Sequence, residues 1–330
     1  MSRRDITLAA HTAAIAVLAG LTAALGVFGR GGGQIASATS IRGERFDYVT
    51  DGIYAYNPVR VVAEGIGWDV VTLFGVAPAL LVVSWLVARG SLRGRLAATG
   101  LLGYVVYQYL MYAMFWAIGP LFPAFVLLYP LAIWGIVRLI AATDLDDLAT
   151  RLGPGFPRRA TAWYSLAMAL LLVGMWVPRI STALAGDVAG AGLLGTPTLV
   201  VQALDLGIVV PLALAAAWTL WRRHRAAALL AALLMVKGVS MAVAIMAMLV
   251  SAWQVEGRLE VVPFAIFAVA AGFAGWLAAR VLVSVRPAAG AGSVLGQALE
   301  QDVVAVASGD LQVGRRVAEP DEAGSLQHRL

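Results

Sequence analysis

Ala226–Trp253 reads AAALLAALLMVKGVSMAVAIMAMLVSAW, an apolar run broken by a single charge, Lys237. A hydrocarbon layer about 30 Å thick is crossed by roughly 20 helical residues. This run is therefore long enough to span a membrane, with Lys237 near its middle. Working outward, seven further stretches read the same way: Ile6–Gly29, Trp68–Ala88, Leu96–Ile118, Leu121–Ala142, Thr161–Val177, Thr198–Trp221 and Val261–Val285. The fold class this predicts is all-α, a polytopic transmembrane helix bundle of about eight spans. Long continuous runs exclude a β-barrel, whose strands alternate over about ten residues.

Composition agrees. Hydrophobic residues make up 61% of the 330 and charged residues 13%, about half the charged share of a soluble domain. That excludes a soluble globular protein, a disordered chain and a nucleic-acid binder, despite the net charge of +5. With no cysteine and three scattered histidines (His11, His224, His328), the chain offers no thiolate site, no metal site and no cofactor site.

The arginines sort by side. Arg3, Arg4, Arg89, Arg93, Arg95, Arg151, Arg158, Arg159, Arg222, Arg223, Arg225, Arg280 and Arg286 fall in one set of termini and loops, while the other holds only Arg30, Arg42, Arg45, Arg60, Arg179 and Arg258 together with the acids Glu44, Asp47, Asp51, Glu64, Asp69, Asp187, Glu256 and Glu260. Basic loops face the cytoplasm, which predicts both termini there. Arg3-Arg4 before an apolar run also invites a signal-peptide reading, but the run is long and Arg30 with three glycines follows it, so an uncleaved first helix is expected. Residues 1–286 form the expected transmembrane domain. After Pro287 the sequence turns to Gly, Ala, Ser and acids. Residues 287–330 are expected to be a disordered cytoplasmic tail, in which Ser293–Ser308 would form at most a surface helix.

Residues 133 positions apart match: Pro78 with Pro211, Trp85 with Trp218, Arg89 with Arg222. One reading is two parallel four-helix halves, 1–142 and 161–286; the other is coincidence between two ordinary hairpins.

Polar side chains at membrane depth are the candidate site. Lys237 is the chain's only lysine; all other basic residues are arginine. Lysine loses its proton when desolvated far more readily than arginine. Folding the hairpin at residues 223–224 sets Lys237 level with Val210 and Pro211, with Asp205 about 7–8 Å further out at the helical rise. Gln202 lies on the same helix. Pro211 also frees the carbonyl of Gly207, a second partner for the ammonium. On the third span, Tyr104, Gln108 and Tyr112 share a face by i, i+4 spacing, with Tyr107 beside them. They either bind a ligand or pack helices together.

Asp69 is expected at the outer interface, either capping a helix that opens at Trp68 or, if the helix opens at Pro58 with Asn57 as its cap, standing one turn deeper than Arg60 and Glu64 in a charged vestibule. His11 is expected to hydrogen-bond within the bundle, and Arg138 and Arg179 to snorkel. Gly31–Asn57, aromatic and charged, is either an ordered lid over the outer mouth or a plain interfacial connection.

Three stretches taken together, Gly52–Tyr56 leading to Asp69–Leu73, Gly103–Met114 and Val201–Pro211, resemble a group of uncharacterised bacterial multi-pass membrane proteins. The resemblance covers most of the chain before the tail. It implies topology and a bacterial cytoplasmic membrane, and it brings no activity. No phosphate loop, zincin pair or serine elbow marks an enzyme. The functions left are a transporter or permease for a small molecule or amphiphile, an intramembrane enzyme on a lipid-soluble substrate, and a non-catalytic subunit or assembly factor. The expected partners are the lipid bilayer and a small-molecule or lipid ligand; a protein partner is not identifiable.

Overall fold

The computed structural model describes residues 3–193 and 195–286. The expected tail, with its Ser293–Ser308 segment, lies outside them. The long elements are α1 (Arg3–Phe28), α2 (Val59–Val71) running on into α3 (Ala77–Ala88), α4 (Leu92–Phe115) and α5 (Phe122–Ala141). After the short α6 (Leu145–Thr150) come α7 (Arg158–Leu184), a single turn α8 (Val188–Ala191), and α9 (Val200–Leu204) running on into α10 (Val210–Trp221). The bundle closes with α11 (Ala227–Glu256) and α12 (Val261–Val283).

By length and composition, seven helices can cross a membrane, counting α2–α3 and α9–α10 as one each. They make the chain a membrane-embedded, all-α bundle. The remaining expected span, Leu96–Ile118, is present as α4, a helix of 24 residues, but it falls outside this apolar set. Tyr104, Tyr107, Gln108, Tyr109 and Tyr112 lower its hydropathy. They can sit there because all five are buried against other helices.

α4 and α11 cross at the centre. α4 packs on α3, α5 and α11, while α11 packs on α2, α4, α10 and α12; α1 leans on α3 and α5, and α7 on α10. Close approach at the crossing needs a small residue. A Cβ on Gly100 would sit 2.5 Å from Val236 Cβ and 3.1 Å from the Ala232 carbonyl. Such small-residue contacts let apolar helices gain dispersion energy where no hydrophobic effect drives them together.

Two spans are interrupted alike. A π-helical turn covers Thr72–Val76 and another covers Asp205–Val209. Each is closed by an N–H to the carbonyl five residues back (Ala77 to Thr72, Val210 to Asp205), and each has a proline two positions beyond its end, Pro78 and Pro211. Proline lacks the N–H of an α-helical turn and its ring crowds the carbonyl four residues back. A wider turn accommodates both defects. The two π turns stand 133 residues apart, the spacing of the Pro, Trp and Arg matches.

The segment Gly31–Asn57 is ordered. It contains an antiparallel hairpin, β1 (Ile35–Thr39) with β2 (Arg45–Val49), pairing Ile35 with Val49. Glu44 in its turn accepts a hydrogen bond from Gly195 N at 2.9 Å. Asn57 anchors the exit of the segment by accepting from Ala117 N at 2.8 Å.

Gly100→Val should cost about 1–3 kcal/mol through overpacking at the α4–α11 crossing. Gly174→Ala, which meets open space, should leave stability unchanged. Thermal unfolding in one detergent distinguishes the two.

Candidate functional site

The structure divides the expected polar residues into two hydrogen-bonded groups, and Tyr112 of the first also borders the cavity that the second faces. The first is closed. Thr72 Oγ1 donates to Gln108 Oε1 at 2.7 Å and lies 2.9 Å from the Tyr104 hydroxyl. Gln108 Nε2 and the Tyr112 hydroxyl donate to Asp69 Oδ1 at 3.3 and 3.2 Å, and the Tyr54 hydroxyl donates to Asp69 Oδ2. Tyr104, Gln108, Tyr112 and Asp69 are all fully buried. Burial and the Asp69 carboxylate beside it push the Tyr54 hydroxyl above its ordinary range. With every partner supplied from α2, α4 and the outer segment, this group ties helices together.

Asp69 is thus neither a cap nor part of a vestibule. The second span opens at Val59, after Pro58, so Asp69 lies about three turns inside the helix. From there it faces Tyr54 and Tyr112 rather than the outer surface. Arg60 and Glu64 do stand at the outer end, but their companions are different. Arg60 pairs with Glu64 at 2.9 Å, Glu256 at 3.1 Å and Glu260 at 2.8 Å. Pairs this exposed add little stability each, but together they bridge α2 to the turn between α11 and α12.

The second group faces a cavity of about 710 Å³ among α2, α4, α7, α9–α10, α11 and α12. On α7 its lining runs from Tyr164 to Arg179, about 22 Å of helix at 1.5 Å per residue. Arg60, Glu64, Arg179 and Glu260 stand at its outer end. Its walls carry Met111, Met168, Met175, Met235, Met241 and Met248, six of the nine methionines in the chain. Thioether side chains give an apolar surface that adapts to irregular shapes.

Lys237, Asp205, Gln202 and Tyr107 meet near the inner end. Asp205 is held by two donors, the Tyr107 hydroxyl at 2.7 Å and Trp176 Nε1 at 2.8 Å. Lys237 Nζ sits over the Tyr107 ring, 4.5 Å from its centroid, and feels the Asp205 charge. Among the described residues it makes no hydrogen bond and no ion pair, to Asp205 or to the Gly207 carbonyl. The expected direct amine–carboxylate contact is not made; Tyr107 links the two groups, its hydroxyl on Asp205 and its ring beneath Nζ. Gln202, also buried, lines the cavity with its amide unpartnered among the described residues.

Trp176, Tyr54 and Thr72 escape a reading by charge and spacing, since tryptophan, tyrosine and threonine are ordinary in apolar helices. Glu256 and Glu260 were legible only as outer acids. Arg179 does not snorkel freely. It donates to the Ala191 and Gly192 carbonyls at 2.6 and 2.8 Å. Arg138 turns inward to His11 Nδ1 at 2.9 Å, and His11 Nε2 lies 3.1 Å from the Leu131 carbonyl, so His11 hydrogen-bonds as expected.

The fold and cavity define a helical membrane protein with a deep, largely apolar internal pocket. No protein-family model matches the chain, and neither curated proteins nor solved structures give a match.

The two groups should respond differently to truncation. Tyr112→Phe removes a donor from a buried carboxylate and should cost about 1–3 kcal/mol. Lys237→Met loses no hydrogen bond among the described residues, only the contact with the Tyr107 ring, and removes a buried charge, so it should unfold within a few degrees of the native protein. Melting curves of the purified variants check both.

Proposed function

We propose that the protein is a permease for small amphiphilic molecules and that the cavity is its transit site. The observation that carries this reading is an ammonium with no hydrogen-bond acceptor among the described residues, at the inner end of a large pocket whose outer end is charged. About 710 Å³ is within the range that holds an organic ligand, and a buried cation without an acceptor is costly unless one arrives.

Two further features support movement around the site. Both interrupted spans carry a π turn and a proline, and π turns concentrate at functional positions. The one in α9–α10 begins at Asp205 itself. Broken spans beside the substrate are common in transporters built from repeated halves. The 133-residue register of the π turns favours two parallel halves, 1–142 and 161–286. In that register Thr72 and Tyr104 correspond to Asp205 and Lys237, so a closed pair in one half stands where the other half has its cavity groups.

The reading places the protein in a bacterial cytoplasmic membrane with both termini inside. It rests there on the distribution of arginines and on the resemblance to bacterial multi-pass proteins. The charged mouth would then face outward. The enzyme reading is weaker, because Tyr104, one of its proton-transfer candidates, is bonded to Thr72 away from the cavity.

The native chain has no cysteine, so single thiols can be placed without background. Met168→Cys, deep in the cavity, should react with a membrane-impermeant maleimide in both right-side-out and inverted vesicles. Thr196→Cys, at the mouth, should react from the outside. Labelling of Met168→Cys from the outside alone would contradict the permease reading.

A further inference from the structure

The charges around the cavity restrict what can enter it. At the outer end Arg60 is surrounded by Glu64, Glu256 and Glu260. Arg179 is the other cation there and is engaged by two carbonyls. The charges that line the mouth balance, Arg60 and Arg179 against Glu64 and Glu260, so an ion of either sign meets a like charge there. At the inner end an anion meets the Asp205 carboxylate, whose field reaches Lys237. A cation would meet the Lys237 ammonium at the same depth. An uncharged molecule passes both.

What the inner end requires is an acceptor. An ammonium has three N–H donors and no lone pair, and Lys237 Nζ gives none of them to a described residue. Asp205 makes no ion pair with it among the described residues and accepts instead from Tyr107 and Trp176. The Gln202 amide beside them adds further unpartnered capacity. From Lys237 outward, the α11 wall runs past Met241 to Met248, about 16 Å at 1.5 Å per residue, and it faces Met168 and Met175 on α7. That is space for an apolar body with its polar end inward.

We infer that the cavity takes an uncharged, lipid-soluble molecule with a carbonyl-type oxygen at its polar end. That oxygen accepts a hydrogen bond from Lys237 Nζ while the apolar remainder lies along the methionine walls. The inference rests on the permease reading only for what happens to the molecule afterwards; binding is a separate matter.

Three probes of equal chain length separate the possibilities: tritiated 2-dodecanone, dodecanoate and dodecylamine. They are titrated against full-length protein in phosphatidylcholine nanodiscs, with empty nanodiscs subtracted. The ketone should bind saturably and at least tenfold tighter than either ion. Lys237→Met should weaken ketone binding at least tenfold. Asp205→Asn, which removes the negative charge at the inner end, should improve dodecanoate binding at least tenfold. The inference is overturned if dodecanoate or dodecylamine binds the native protein as tightly as the ketone, or if Lys237→Met leaves ketone binding unchanged. Should Lys237→Met fail to fold, the native ranking and the Asp205→Asn arm decide. Ketone binding with one-sided thiol labelling would remove the permease and keep the binding site. Two-sided labelling without ketone preference would do the reverse.

Discussion

A polar group in the middle of an apolar bundle must take its partner from a neighbouring helix, because no solvent is available to supply one. In one hydrogen-bonded group that requirement is met in full: Asp69 has donors from Tyr54, Gln108 and Tyr112. In the other it is met for Asp205 and left open for Lys237. The first arrangement fixes three elements to one another. The second leaves the Lys237 donor directed into the cavity, whose lining also carries Gln202 and Trp68, the latter with its indole Nε1 unpartnered among the described residues.

The division depends on α4 being too polar to face lipid. Its tyrosines and glutamine confine it to the interior, so the other spans arrange themselves around it. Gly100 then lets α11 come close enough to bring Lys237 beside Tyr107. Tyr107 has two roles there: its hydroxyl secures Asp205, and its ring carries the ammonium above it. The Asp205 π turn and Pro211 lie on the span facing them, so the least regular stretch of that span lies against the least satisfied side chain.

The spans were legible in the sequence because a run such as Ala226–Trp253 has few other destinations. Lys237 was legible because one lysine among arginines at mid-span stands out, and Asp205 and Gln202 because hairpin counting brings them near it. Asp69 was misread for a definite reason. The apolar run starts visibly at Trp68, yet of the two starts the sequence offers the helix takes the earlier, beside Pro58, with Arg60 pairing with Glu64, Glu256 and Glu260 at its end, and this carries Asp69 inside the bundle. Glu256 and Glu260 are nearly two hundred residues away, and local pattern carries no trace of that pairing. The same holds for Trp176, whose indole reaches Asp205 from α7, and for the split of Tyr107 from Tyr104, Gln108 and Tyr112. Helical spacing groups Tyr104, Gln108 and Tyr112, but only packing shows that their partners are Thr72 and Asp69 while that of Tyr107 is Asp205.

Because Lys237 is the only lysine, protein labelled with ¹⁵N at lysine Nζ gives one side-chain ammonium signal, and that signal reports directly on the open donor. Recorded in nanodiscs, it should differ from the signal of a solvated lysine and should move when 2-dodecanone fills the cavity. A signal at the solvated position that is indifferent to the ketone would mean that the ammonium does not face the cavity, and the account built on it would fall.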